Sequence, residues 1–115
     1  TTIPDFPNLF IVTGPNTGIG HTSAIFVIEA QMNYIMDSIK RVLTSRAKSI
    51  EVKFDLKPWE MFAIHQEMAK TVWQTGGCNS WYKSKSGKVI AMFPGFSWTF
   101  WLLAKNFKRA DHSFK

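Results

Sequence analysis

Leu9-Phe10-Ile11-Val12-Thr13-Gly14-Pro15-Asn16-Thr17-Gly18-Ile19-Gly20-His21-Thr22-Ser23 opens on an apolar run and continues into three glycines at short spacing. A run without polar alternation is the pattern of a strand buried on both faces, as in a parallel sheet. The glycines let the backbone turn tightly or let a ligand come close. A long apolar helix pattern follows from about Thr22. Strand, glycine loop and helix in that order aim backbone N–H groups and the positive end of a helix dipole at an anion or polarised oxygen. The stretch is not a P-loop, because no Lys-Ser or Lys-Thr follows the last glycine. Gly18-x-Gly20-x-x-Ser23 is one residue short of the dinucleotide fingerprint, and no acidic residue closes a following strand. Read as a pattern alone, the loop is a helix cap with no ligand.

The wider wording carries more. Phe6-Pro7-Asn8-Leu9-Phe10, the Gly14-to-His21 loop and Ile28-Glu29-Ala30-Gln31 resemble the flavin-dependent monooxygenases of the Baeyer–Villiger and flavin-containing monooxygenase group. Thr71-Val72-Trp73, Gly76-Gly77-Cys78 with Ser80-Trp81-Tyr82, and Pro94-Gly95-Phe96-Ser97-Trp98 resemble that group's C-terminal tail. The resemblance runs from about Phe6 to His112 and covers only the last part of such an enzyme. It implies the end of an FAD-binding α/β domain, within a flavoprotein of two dinucleotide domains that uses FAD, NADPH and oxygen on a ketone or soft heteroatom. It also implies that Gly14, Pro15, Asn16, Thr17, Gly18, Gly20 and His21 lie at or near the flavin. A reduced flavin carries negative charge at its pyrimidine edge, which a helix N-terminus stabilises.

At 115 residues the chain holds one domain at most, with a modest core. Hydrophobic residues make up 45% and charged ones 19%, which excludes a disordered chain. Five Trp and ten Phe point to a core shared with another segment, or to an apolar patch left open. A strand buried on both faces needs neighbours, and no second such strand is evident. With no Met at position 1, the chain is expected to be a fragment whose partner is the rest of a parent flavoprotein.

The net charge of +6 raises the question of polyanions, but Lys and Arg are scattered and no nucleic-acid motif appears. No nucleic-acid partner is expected. Cys78 is alone, so there is no disulfide framework; a packed thiol and a cytoplasmic location are the expectations. No apolar run is long enough to span a bilayer.

Thr1 to Asn8 reads as an extended lead-in. The helix after the loop is predicted over about 22–45, capped by Thr22 or Ser23, with Thr17 a rival. Ile25, Ile28, Met32, Ile35, Ile39 and Val42 give it an apolar stripe, and Asp37 and Arg41 form an i,i+4 pair. Its first half is apolar nearly all round, so it is expected to start deep in a core and end at the surface. Residues 49–56 alternate as a half-exposed strand. Pro58 and Glu60 open a second helix, with Met61, Phe62, His65, Met68, Ala69 and Val72 on one face to about Val72. Residues 81–83 and 89–93 form a hairpin through Ser84-Lys85-Ser86-Gly87. Residues 96–107 form a last helix, expected to pack on the parent's other domain; contact with a membrane or self-association are the alternatives. The fold class is therefore an α+β fragment: strand, glycine loop, long helix, strand, helix, hairpin, final helix.

No catalytic residue stands out. The carboxylates form no acid–base pair, Ser23 and His21 have no orienting partner, and His65 has no second ligand nearby for a metal. The isolated chain is expected to be inactive and to hold no FAD. The contrasting reading is a small basic, aromatic-rich α+β interaction module without catalytic activity.

Overall fold

A computed structural model of the chain describes the backbone of residues 1–115 and all side chains except those of residues 56–62. The elements are α1 (Ala24–Ser45), β1 (Ile50–Val52), α2 (Lys57–Ala69), α3 (Val72–Thr75), α4 (Ser97–Lys105) and β2 (His112–Phe114). This is a small α+β unit, rich in helix, with one two-stranded antiparallel sheet.

The long helix forms as its periodicity predicts. Ser23 stands at its N-cap in extended conformation, without a side-chain capping bond. At the other end Arg46 adopts φ 55°, and the N–H of Ala47 reaches the Val42 carbonyl at 3.1 Å, so the chain leaves the helix without a glycine. Arg41 Nε meets Asp37 Oδ2 at 2.9 Å, the expected i,i+4 pair.

The helix does not sit as expected. Val27, Ala30, Gln31, Ile35 and Ser38 form its buried face. Ile25, Met32, Met36, Ile39 and Leu43 are exposed, and so are Ala24 and Phe26 in the first turn. The helix is apolar on two faces, and the chain covers only one of them. The expectation that α1 starts deep in a core is corrected on that ground.

The core comes in two parts. Val27 and Ala30 pack with Phe93 and Phe100, flanked by Ile19, Trp101 and Ala104. The Phe93 and Phe100 rings meet edge-on at 5.2 Å. Met68, Val89 and Met92 form the second part, with Trp73 and Tyr82 beside them. The Cα radius of gyration is 15.0 Å, above the roughly 13 Å of a compact domain of about this length. The unit is elongated, at 50 × 27 × 19 Å, and its core is correspondingly thin.

The opening strand is absent, which corrects the predicted fold. Among residues 9–13 only Phe10 pairs, in an isolated antiparallel bridge to Thr2. Asn8 and Thr13 adopt φ of 61° and 53° and bend the chain at both ends of the run. Apolar continuity reports what the side chains prefer; it cannot supply a second backbone to pair with.

The predicted strand over 49–56 is shortened to β1, followed by a 3-10 turn at Phe54–Leu56. Its partner β2, absent from the sequence reading, pairs Ile50 with Phe114 and Val52 with His112. The end of the chain is tied to α1 by a hydrogen bond between Tyr34 Oη and His112 Nε2. Phe107 stacks on His112 at 4.5 Å and lies under the Arg41 guanidinium at 4.6 Å. The final helix is correspondingly shorter than predicted and ends at Lys105.

The second helix begins at Lys57, which puts Pro58 in its first turn. Its apolar stripe is described only in part, since Met61 and Phe62 lie outside the described side chains. Met68 is buried, His65 half-buried and Val72 exposed. The hairpin holds as a bridge between Lys83 and Val89, with Ile90 N–H on Tyr82 O at 2.9 Å. Cys78 is exposed rather than packed.

Candidate functional site

The second arm of the hairpin, residues 89–93, anchors the glycine loop. The loop runs beside it in parallel, bridged at Gly18 and Met92. Asn16 N–H donates to Ile90 O at 2.8 Å and Gly18 N–H to Ala91 O at 2.8 Å. Phe93 N–H returns to Gly18 O at 2.6 Å. The Asn16 side-chain amide donates to Val89 O at 3.3 Å and to Met92 O at 3.0 Å. The carbonyls of residues 89, 90, 91 and 92 are thus all met from Asn16 and Gly18.

Each residue implied at the flavin has a definite place. Asn16 and Thr17 are buried, each 6% exposed. Asn16 holds φ 55°, a left-handed conformation that asparagine tolerates better than most residues. Thr17 Oγ1 donates to Gly14 O at 2.6 Å, closing the turn. Their side chains are engaged within the chain. Gly18 is needed for close approach, since a Cβ there would stand 2.9 Å from Ala91 O. Gly20 is needed for the Trp73 ring, whose Cη2 a Cβ would meet at 2.6 Å. Gly14 is half-buried beside Ile11, and Pro15 is exposed. His21 is exposed, its ring 6.2 Å from that of Phe96 in an edge-on contact. The structure brings these residues into one loop but turns only Pro15, Gly20 and His21 outward.

Past Gly18 the loop changes character. The backbone N–H groups of Gly20, His21, Thr22 and Ser23 meet no acceptor among the described residues. They lead into α1, whose first turn carries no acidic residue to neutralise the positive end of the helix dipole. Phe96 and Trp98 stand nearby with rings nearly parallel at 6.4 Å, both largely exposed. Exposed donors, a helix N-terminus and aromatic faces together suit the electron-rich edge of a planar ring system. The described residues contain no cluster of His, Cys, Asp and Glu able to hold a metal ion.

Comparison with known proteins finds monooxygenases. Over 108 residues the chain is 39% identical to a Baeyer-Villiger monooxygenase of Pseudomonas aeruginosa, covering 93% of this chain and 20% of that protein. The chain is a relative of flavin-dependent monooxygenases. A Baeyer-Villiger monooxygenase of Streptomyces coelicolor is 40% identical over 96 residues, 82% of this chain and 18% of its own length. An FAD-binding monooxygenase of Aspergillus niger is 31% identical over 97 residues, 81% of this chain and 16% of its own. The chain thus spans about a fifth of the length of these monooxygenase relatives. No protein-family profile matches it. No solved structure matches it.

Two parts of this site escaped the sequence. The anchoring of the loop on residues 89–93 joins positions more than seventy apart, and no local period announces such a pairing. Trp73 was legible only as part of a motif; the reason for it, a ring filling the space beside Gly20, appears in the fold.

Proposed function

We propose that the chain is the C-terminal, flavin-contacting segment of an FAD- and NADPH-dependent monooxygenase. That enzyme inserts oxygen from O2 into a ketone or oxidises a soft heteroatom. The observation that carries the reading is the 39% identity to a Baeyer-Villiger monooxygenase across 93% of this chain.

The local chemistry supports it. The residues present fit one edge of a flavin: the N–H groups of Gly20 to Ser23 and the N-terminal end of α1 would face its pyrimidine oxygen. His21 and Pro15 would border the same opening. When bound, FAD supplies the redox chemistry and the activation of oxygen. This chain supplies a donor array, a positive dipole end and part of the wall that keeps water away. Nothing among the described residues resembles a second nucleotide-binding element for the pyrophosphate and adenosine. The segment alone is therefore inert, and the whole enzyme works in the cytoplasm.

The exposed apolar faces fit the same reading. Ile25, Met36 and Leu43 of α1, and Trp98 and Leu103 of α4, are each more than half exposed. A row of such side chains marks an interaction surface, and in the parent it lies against the remaining chain. The test is the coding sequence upstream of the Thr1 codon. It should encode a strand followed by a GxGxxG turn in the same reading frame. An initiator codon a few residues upstream, with no such element, would overturn the reading.

A further inference from the structure

We propose that Asn16 is the positioning residue of the glycine loop. By this inference its side-chain amide, not the glycines, fixes where the outward N–H groups of residues 20–23 stand. Its relevance to a flavin rests on the function proposed above; the positioning itself does not.

Three observations carry it. The amide is shut away from water and donates to two carbonyls of one segment, Val89 O and Met92 O. A primary amide has two N–H bonds to give from one position, which the side chains of Asp, Ser and Gly lack. The neighbouring bonds of the ladder, Gly18 N–H to Ala91 O and Phe93 N–H to Gly18 O, lie next to the amide and depend on the same register. Beyond Gly18 the loop has no further backbone bond to the arm until α1 begins. Asn16 is thus the last residue whose side chain hydrogen-bonds the loop to the arm before its donors turn outward. Gly20 follows two residues later, where a Cβ would meet Trp73 at 2.6 Å and Met92 at 3.0 Å, so the exposed end has little room to move independently of Gly18.

The chemistry gives a test that separates positioning from general stability. In Asn16→Asp, an ionised carboxylate would face two carbonyl oxygens and repel both. Once protonated it regains a single donor. Amide hydrogen exchange of the full 115-residue chain is read residue by residue by NMR, on both sides of the carboxyl's titration. Protection at Gly18 and Phe93 should fall by about tenfold or more with the carboxylate ionised, the order expected for losing a buried hydrogen bond. It should recover in part on protonation, while Ile50 and Phe114 in the sheet keep their parental protection at both pH values. Asn16→Gly, which keeps the left-handed backbone without strain, should show the same local loss at every pH. Parental protection at Gly18 and Phe93 in Asn16→Gly would overturn the proposal. So would an equal loss across loop and sheet in both variants, which is the mark of a residue that stabilises the fold as a whole. Neither readout involves flavin, so failure here leaves the functional reading standing, and failure of that reading leaves this one.

Discussion

The side-chain amide of Asn16 lies 3.0 Å from the carbonyl oxygen of Met92, a residue seventy-six positions away. This contact fastens the beginning of the chain to the arm of a late hairpin. It draws the middle of the glycine loop, Asn16 and Thr17, into the fold's interior, while Pro15, Gly20 and His21 face outward. The consequences can be measured.

The loop glycines are constrained by the chain's own atoms, so alanine should be damaging without any ligand. Gly18→Ala brings a Cβ to 2.9 Å from a backbone carbonyl, and Gly20→Ala brings one to 2.6 Å from the Trp73 ring. Each should destabilise by about 1–3 kcal/mol, the usual range for overpacking. Gly18→Ala should cost more, since a ring can tilt and a paired carbonyl cannot move without breaking the ladder. Denaturant midpoints of the two variants check the order.

Gln31 should behave as a structural tie. It is fully buried, accepts from Thr13 N–H at 2.9 Å and donates to Thr1 Oγ1 at 2.8 Å. Gln31→Leu keeps the volume and removes both bonds. The expected loss is about 1–3 kcal/mol, the cost of leaving a polar group without its partner. It should fall toward the lower end, because Thr13 is exposed and water can reach its N–H. Unchanged thermal stability would contradict this role.

How much of this was legible in the sequence follows from the range of each interaction. The bounds of α1, the Asp37–Arg41 pair and the hairpin turn depend on neighbours a few residues apart, and periodicity finds those. The predicted strand over 9–13 failed because a strand exists only with a partner, and Asn8 and Thr13 turn the chain instead. β2 is three residues long and owes its existence to β1, some sixty positions earlier. The loop's residues were readable from their motif. That Asn16 and Thr17 point inward was not, because it is set by a pairing with residues 89–93.

The isolated chain should self-associate. Leu9, Phe96, Trp98 and Leu103 are exposed, and Met36 and Leu43 add a row on α1. Covering each large apolar side chain is worth about 1.5–3 kcal/mol, enough for several together to outweigh the cost of association. Sedimentation velocity at rising concentration should show a shift to larger species, reduced in Met36→Glu/Leu43→Glu. A clean monomer at high concentration would count against this.

FAD added to the isolated chain should not saturate in the low micromolar range. Such affinity corresponds to about 8 kcal/mol, more than one loop and one helix end can provide. Titration with flavin fluorescence as the signal decides it; a tight stoichiometric complex would refute the expectation.

The most direct measurement is a graft. The matched segment of the Pseudomonas aeruginosa Baeyer-Villiger monooxygenase is replaced by this chain, and the purified chimera's absorption spectrum is recorded. The expected result is a flavin spectrum at about one equivalent of FAD, lowered markedly by His21→Glu, which sets a carboxylate at an exposed position among the loop's outward N–H groups. A chimera that is monodisperse and unfolds cooperatively yet carries no flavin would contradict the claim that this segment completes a flavin site.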